Sequence, residues 1–141
     1  MAVRVRLRIK SRSREVVTST LINSGFEAEE PQLVVPLSLA EALGLTSAEA
    51  SIEDFRTAGG GRASGYRVEK LTEVQLVLDD RSTVKASTYI TVLPGESEAI
   101  MSDRLASELD ITILDAWRGH WCLRDELGTK QRSSAAVEEW K

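Results

Sequence analysis

The sequence predicts an all-β fold, a barrel or a sandwich, with two short helices. Segments of alternating or β-branched residues recur along the chain, turn residues separate them, and the strand–helix–strand repeat of a parallel α/β sheet is missing. With 141 residues, 42% of them hydrophobic, the chain is long enough for one domain with a substantial core.

The first predicted strand, AVRVRLRIKS, is basic. Apolar Val, Leu and Ile alternate strictly with Arg and Lys, which is the period of a half-buried strand. The first fourteen residues contain no acid and carry six cations: Arg4, Arg6, Arg8, Lys10, Arg12 and Arg14. We expect an edge strand whose positive charge discourages unwanted pairing. The alternative is a basic adaptor arm that contacts an acidic partner or phosphate.

The next segments predict a turn (SRSR), a returning strand (EVVTSTLI), a short strand (QLVV) and a helix (PLSLAEALGL). Ser38 and Glu41 have the spacing of a capping box, and Gly44 is placed to end the helix. The residues expected to face inward are Leu39, Ala42 and Leu43.

A long hairpin follows, with strands predicted at residues 52–57 and 66–78 around the tip AGGGRASG. After the turn DDRS come a strand (TVKASTYITVL) and a helix (SEAIMSDRLASELDI) with Ser102 or Asp103 as N-cap. In that helix the spacing of the apolar residues is helical: Ile100, Met101, Leu105 and Leu109. Two short strands about a turn near Arg118 end a domain at residues 1–127, and residues 128–141 form a polar tail that is loose until Trp140.

Composition limits the function classes. The 18 Lys and Arg against 22 Asp and Glu give no general argument for nucleic acid as a partner. A lone Cys122 fits a reducing compartment and a buried thiol, and the absence of a signal or membrane segment predicts a soluble, cytoplasmic protein. No His or Cys cluster supports a metal, and no cofactor is predicted. His120 is expected to pack or to lie at the surface, and the three tryptophans are expected in the core or a dimer interface: Trp117, Trp121 and Trp140.

In order, these pieces resemble the retropepsin-like aspartic peptidases, the single-domain, homodimeric relatives of pepsin. The matching segments are TLINSG, LVVP, LAEALGL, TAGGGRASG, VQLVLDDRSTVKASTYITVLP and AIMSDRLASELDITILD. The resemblance implies an acid protease fold, a closed barrel, built as a homodimer. It places the catalytic loop at Asn23, Ser24 and Gly25, and substrate-binding residues in the flap and the later motif: Ala58, Gly59, Gly60, Gly61, Ile100, Met101 and Ser102.

In this family two aspartates, one from each subunit, share a proton and activate a water for attack on a peptide carbonyl. Asn23 stands where the aspartate should be, and a carboxamide has no titratable proton. Ser102 replaces the family's Gly, which suggests relaxed constraint, and the insertion FEAEEPQ adds Glu27, Glu29 and Glu30.

The resemblance therefore implies a homodimer without peptidase activity, retained for dimerisation or for binding an extended peptide. One alternative is an active aspartic endopeptidase in which Asn23 is engineered, deamidates to Asp, or is replaced by a nearby Glu. The basic adaptor remains a second alternative.

Overall fold

The computed structural model describes residues 2–45, 50–56 and 62–141. The strands range in length from three to fifteen residues. In chain order the elements are β1 (Arg4–Ser11), β2 (Arg14–Ile22), β3 (Gln32–Val35), α1 (Leu37–Ala42), β4 (Ala50–Arg56), β5 (Arg62–Leu76), β6 (Lys85–Val92), β7 (Ala99–Met101), α2 (Asp103–Glu108), β8 (Ile111–Asp115), β9 (His120–Leu123) and a 3₁₀ turn (Arg124–Glu126).

The main sheet closes into a barrel. Its strands follow the order β1-β2-β7-β3-β6-β5-β4, and an additional pairing of β1 with β5 joins the two ends of a six-stranded ring. β4 continues the sheet outside the ring by pairing with β5, whereas β8 and β9 form a separate two-stranded sheet. The predicted all-β closed barrel with two short helices is confirmed.

The expectation of an edge strand at the N-terminus is wrong. β1 pairs with β2 over its whole length and with β5 from Leu7 to Lys10, so it is an internal strand of the barrel. The alternation of its side chains is as predicted: Val3, Val5, Leu7 and Ile9 are buried in the core. Ring closure depends on contacts between β1 and a strand some sixty residues away in the chain, which a local pattern cannot indicate.

The two helices differ in how well the sequence predicted their starts. Ser102 caps α2, because its Oγ accepts a hydrogen bond from the Leu105 N–H. The capping box at Ser38 and Glu41 is wrong: α1 begins at Leu37 with Pro36 as its N-cap and no side-chain cap bond. The Pro36 carbonyl already accepts the Ala40 N–H at 3.0 Å, which closes the first turn upstream of Ser38.

Two element boundaries and the C-terminal tail also differ from the predictions. Ile100 and Met101 belong to β7 and not to the helix, since their backbones pair with both β2 and β3. The hairpin strands are β4 and β5, so residues 62–65 of the predicted tip lie in a strand. The tail is also not loose: backbone bonds join Ala135 to Arg4 and Trp140 to Ser97, at 2.9 and 2.7 Å.

The core lies inside the barrel and beneath both helices. Its largest fully buried side chains come from the strands, the two helices and the C-cap residues of the helices: Leu7, Ile9, Leu33, Leu39, Leu43, Ile90, Met101, Leu105 and Leu109. Ala42, expected to face inward, is only half-buried, and Ala40 is buried in its place. In the part of the chain that the structure describes, no helix has the length and apolar character to cross a membrane.

Candidate functional site

The turn that follows β2 holds Asn23, Ser24 and Gly25, all exposed. The Asn23 N–H donates to the Met101 carbonyl at 3.2 Å, and the Asn23 carbonyl accepts the Phe26 N–H at 3.0 Å. The side-chain Oδ1 of Asn23 accepts the Gly25 N–H at 3.0 Å. A Cβ at Gly25 would lie 3.3 Å from that same oxygen, so glycine suits the close turn. The side chain at position 23 is therefore held in one orientation by its own turn.

The later motif lies directly behind this turn. β7 pairs with β2 so that Ile100 is opposite Leu21 and Met101 opposite Ile22. The fully buried Ser102 is bonded to β3 through its backbone, since its N–H donates to the Gln32 carbonyl at 3.0 Å. The structure thus brings together the predicted residues Asn23–Gly25 and Ile100–Ser102 from two distant parts of the sequence.

Ser102 is not a sign of relaxed constraint. Its Oγ accepts two backbone N–H groups, from Gln32 at 3.1 Å and from Leu105 at 3.2 Å. One hydroxyl therefore caps α2 and fixes the start of β3 beside the Asn23 turn. The position of Ser102 before the apolar residues of α2 predicted the cap, whereas no sequence pattern predicted the bond to Gln32.

The acidic insertion is anchored to the start of α2. Asp103 Oδ1 accepts the Ala28 N–H at 3.0 Å, and the Arg104 guanidinium donates to the Glu29 carbonyl at 3.2 Å. Glu30 forms an ion pair with Arg67 at 2.8 Å, and the Arg67 guanidinium also lies over the Tyr89 ring. The carboxylates are exposed at all three positions, Glu27, Glu29 and Glu30. Within the described ranges, no group of three or more His, Cys, Asp and Glu side chains could hold a metal ion.

The predicted flap residues Ala58, Gly59, Gly60 and Gly61 lie outside the described residues. The strands that lead to and from them are β4 and β5. Midway along this hairpin, a Cβ on Gly65 would lie 2.5 Å from the Val92 carbonyl oxygen. Glycine at position 65 therefore allows β5 to pack closely against β6, the strand that contains Val92.

A cleft of about 300 Å³ opens beside Ser24, between the turn, α2 and β8. Its walls combine polar and apolar side chains: Ile22, Ser24, Asp103, Ala106, Ser107, Ile111, Thr112, Ile113 and Arg124. Ile113 and the neighbouring Leu114 are 37% and 41% exposed. Apolar side chains are therefore exposed at and next to this cleft.

Three of the four cations of β1, its arginines, pair with acids of the same chain. Arg4 donates two hydrogen bonds to Glu98 at 2.7 and 3.1 Å, and this pairing raises the pKa of Arg4. Arg6 pairs with Glu138 at 2.9 Å, and Arg8 lies 3.6 Å from Glu15. These pairings reduce the positive field that contacts with phosphate would require.

The remaining singled-out side chains serve packing or lie at the surface. Cys122 is fully buried, and burial raises the pKa of its thiol, so the predicted buried thiol is confirmed. Trp121 is buried and Trp140 packs on the core, whereas Trp117 is 70% exposed. His120 is half-buried in β9.

Comparison with protein-family models and with curated protein sequences finds no match. Among solved structures, the chain is similar to one described as the retroviral protease-like domain of Ddi1 from Leishmania major. The TM-score is 0.57 and the identity 14%, over 96% of this chain and 95% of that chain. At this identity the likeness shows the fold alone: the chain has a retropepsin-like, acid protease fold.

Proposed function

We propose that this chain is a homodimeric retropepsin-like protein without peptidase activity, which binds an extended peptide in the groove that its fold retains. The observation that carries the proposal is Asn23, held by its turn at the end of β2 next to β7. In the family that the sequence resembles, this position carries the catalytic aspartate.

A carboxamide cannot perform the family's chemistry. The reaction needs one carboxylate to take a proton from water and one carboxylic acid to donate a proton to the substrate carbonyl. Two asparagines could hydrogen-bond to each other across a dimer axis, but neither has a proton to exchange near neutral pH. Because Oδ1 of Asn23 only accepts from the Gly25 N–H, a carboxylate oxygen fits the same turn.

The proposal includes a homodimer, because in the family that the sequence resembles one copy builds only half of the groove. The exposed Ser24 of the Asn23 turn and the exposed apolar Ile113 line the same cleft. These features support a second copy as the partner of this face. Within the described residues β4 pairs only with β5, which leaves an edge that an extended peptide can join by strand addition.

The catalytic part of the proposal is tested by Asn23→Asp. We expect this variant to cleave an unfolded protein substrate at some pH between about 3 and 7, because two carboxyl groups then meet at the axis. Asn23→Ser is the matched control: it changes the same side chain without adding a titratable group, and we expect no cleavage. A folded, dimeric Asn23→Asp variant that stays inactive would show that more than the acid has been lost.

The dimer is tested by sedimentation equilibrium at micromolar concentration. We expect the unmodified chain to be a dimer and Ile113→Asp to be a monomer, because the substitution buries a charge in the apolar contact. Leu71→Asp is the control, since Leu71 is exposed on β5, outside the cleft beside Ser24. A monomeric unmodified chain, or equal effects of the two substitutions, would contradict the proposed interface.

A further inference from the structure

The C-terminal segment, residues 133–141, lies alongside β1 and β2 of the barrel. Its backbone is joined to β1 through Ala135 and to the residues before β7 through Trp140. The five residues that lead to it, 127–131, are all exposed. Gly128 among them has a φ of +84°. Arg132, directly before the segment, exchanges two backbone bonds with Trp121, so the segment is held at its start, and beyond that point it depends on its own contacts with the barrel.

Glu138 bonds to β2 next to the end of its pairing with β7. β2 pairs with β7 only from Thr20 onward, so the Ser19 N–H donates to the Glu138 carboxylate at 3.1 Å instead of to a strand. In return, the Glu138 N–H donates to Ser19 Oγ at 3.0 Å. Arg6 donates to the same carboxylate oxygen at 2.9 Å. Ser19 is fully buried, and its N–H would lack an acceptor without this carboxylate.

Trp140 contacts the preceding residue of β2, Thr18. Its indole Nε1 donates to Thr18 Oγ1 at 2.9 Å, and its ring packs against the barrel core. Its backbone N–H donates to the Ser97 carbonyl at 2.7 Å. Glu138 and Trp140 are two residues apart, so in an extended segment both side chains face the same way.

We propose that Arg6, Thr18, Ser19 and Ser97 form a peptide-binding notch, which recognises an extended segment that carries a carboxylate two residues before a tryptophan. The cation and the buried N–H of the notch match the carboxylate, and the hydroxyl and apolar floor match the indole. The chain's own C-terminal segment occupies the notch in cis. A partner segment of the same chemistry competes for it. This site is separate from the Asn23 turn and does not depend on the proposed function.

The test uses the full chain with Glu138→Ala and Trp140→Ala together, which weakens the chain's own segment and leaves every notch residue intact. A fluorescent synthetic peptide of residues 133–141, SSAAVEEWK, is titrated against this variant and followed by anisotropy. We expect saturable binding to the double variant. Binding to the unmodified chain should be weaker by about tenfold or more, because a tethered competitor acts at high effective concentration. A control peptide with the same two Ala substitutions should not bind.

Two results would overturn the proposal: equal binding of the peptide to both chains, and no binding to a folded double variant. If the double variant does not fold, Glu138→Gln replaces it, since this change keeps the shape of the side chain and removes the negative charge that faces the Ser19 N–H and Arg6. Hydrogen exchange of the Ser19 amide should then be faster than in the unmodified chain, while exchange in the rest of β2 is unchanged. Unchanged exchange at Ser19 would overturn the proposal as well.

Discussion

Replacement of Ser102 tests whether its hydroxyl stabilises the structure beside the Asn23 turn. Ser102→Ala removes the acceptor of two backbone N–H groups, those of Gln32 and Leu105. Loss of a helix N-cap costs about 1 kcal/mol. The unpaired N–H of Gln32, which is partly buried, adds about 1 kcal/mol. We therefore expect the free energy of unfolding to fall by about 2 kcal/mol.

Two companion variants separate these contributions. Ser102→Gly introduces a residue that is tolerated at an N-cap. The free energy of unfolding should therefore fall by only about 1 kcal/mol, mainly because the Gln32 N–H loses its acceptor. Ser107→Ala, an exposed position on the same helix, should stay within about 0.5 kcal/mol of the unmodified chain. The measurement is urea unfolding followed by tryptophan fluorescence. If Ser102→Ala and Ser102→Gly both match Ser107→Ala, the hydroxyl contributes nothing and the reasoning is refuted.

For three other substitutions the structure predicts the direction of the change in stability. Thr20→Val should raise the free energy of unfolding by about 1 kcal/mol, because the buried Oγ1 has no hydrogen-bond partner in the described part of the chain; a decrease in urea unfolding would contradict this. Gly65→Ala should lower it by about 1 to 3 kcal/mol, since the new Cβ would meet the Val92 carbonyl oxygen at 2.5 Å; unchanged thermal unfolding would argue against that approach. Hydrogen bonds from Arg132 lower the pKa of Glu126 from 4.5 to about 2. The stability from this pair is therefore fully present above pH 4.5 and is lost as the pH falls towards 2. Acid titration of Glu126→Gln should show a shallower loss of stability in that window, and an unaltered slope would count against the pairing.

The sequence predicted local features well where a single pattern determines them. The alternation in β1 identified its buried face, and the apolar flanks of Cys122 indicated a buried thiol. Ser102 was a correct candidate for the N-cap of α2, because capping depends on residues within one turn. The order of the motifs was sufficient to indicate the retropepsin-like fold.

Features that depend on distant contacts were missed. The pairing of β1 with β5 turns an expected edge into a barrel wall, and the second bond of Ser102 reaches a strand seventy residues away. Neither leaves a local signal. The C-terminal segment was expected to be loose because it is polar, yet its anchors, Glu138 and Trp140, acquire partners only after β2 and β7 are in place.

Cleavage by the unmodified chain tests the central claim most directly. The protein, with an intact mass that confirms Asn at position 23, is incubated with an unfolded substrate across the acid to neutral range. We expect no cleavage above the buffer blank, because no pair of carboxyl groups is available to share a proton at the end of β2. Cleavage that tracks the purified protein, with Asn23 unchanged in mass, would contradict the account.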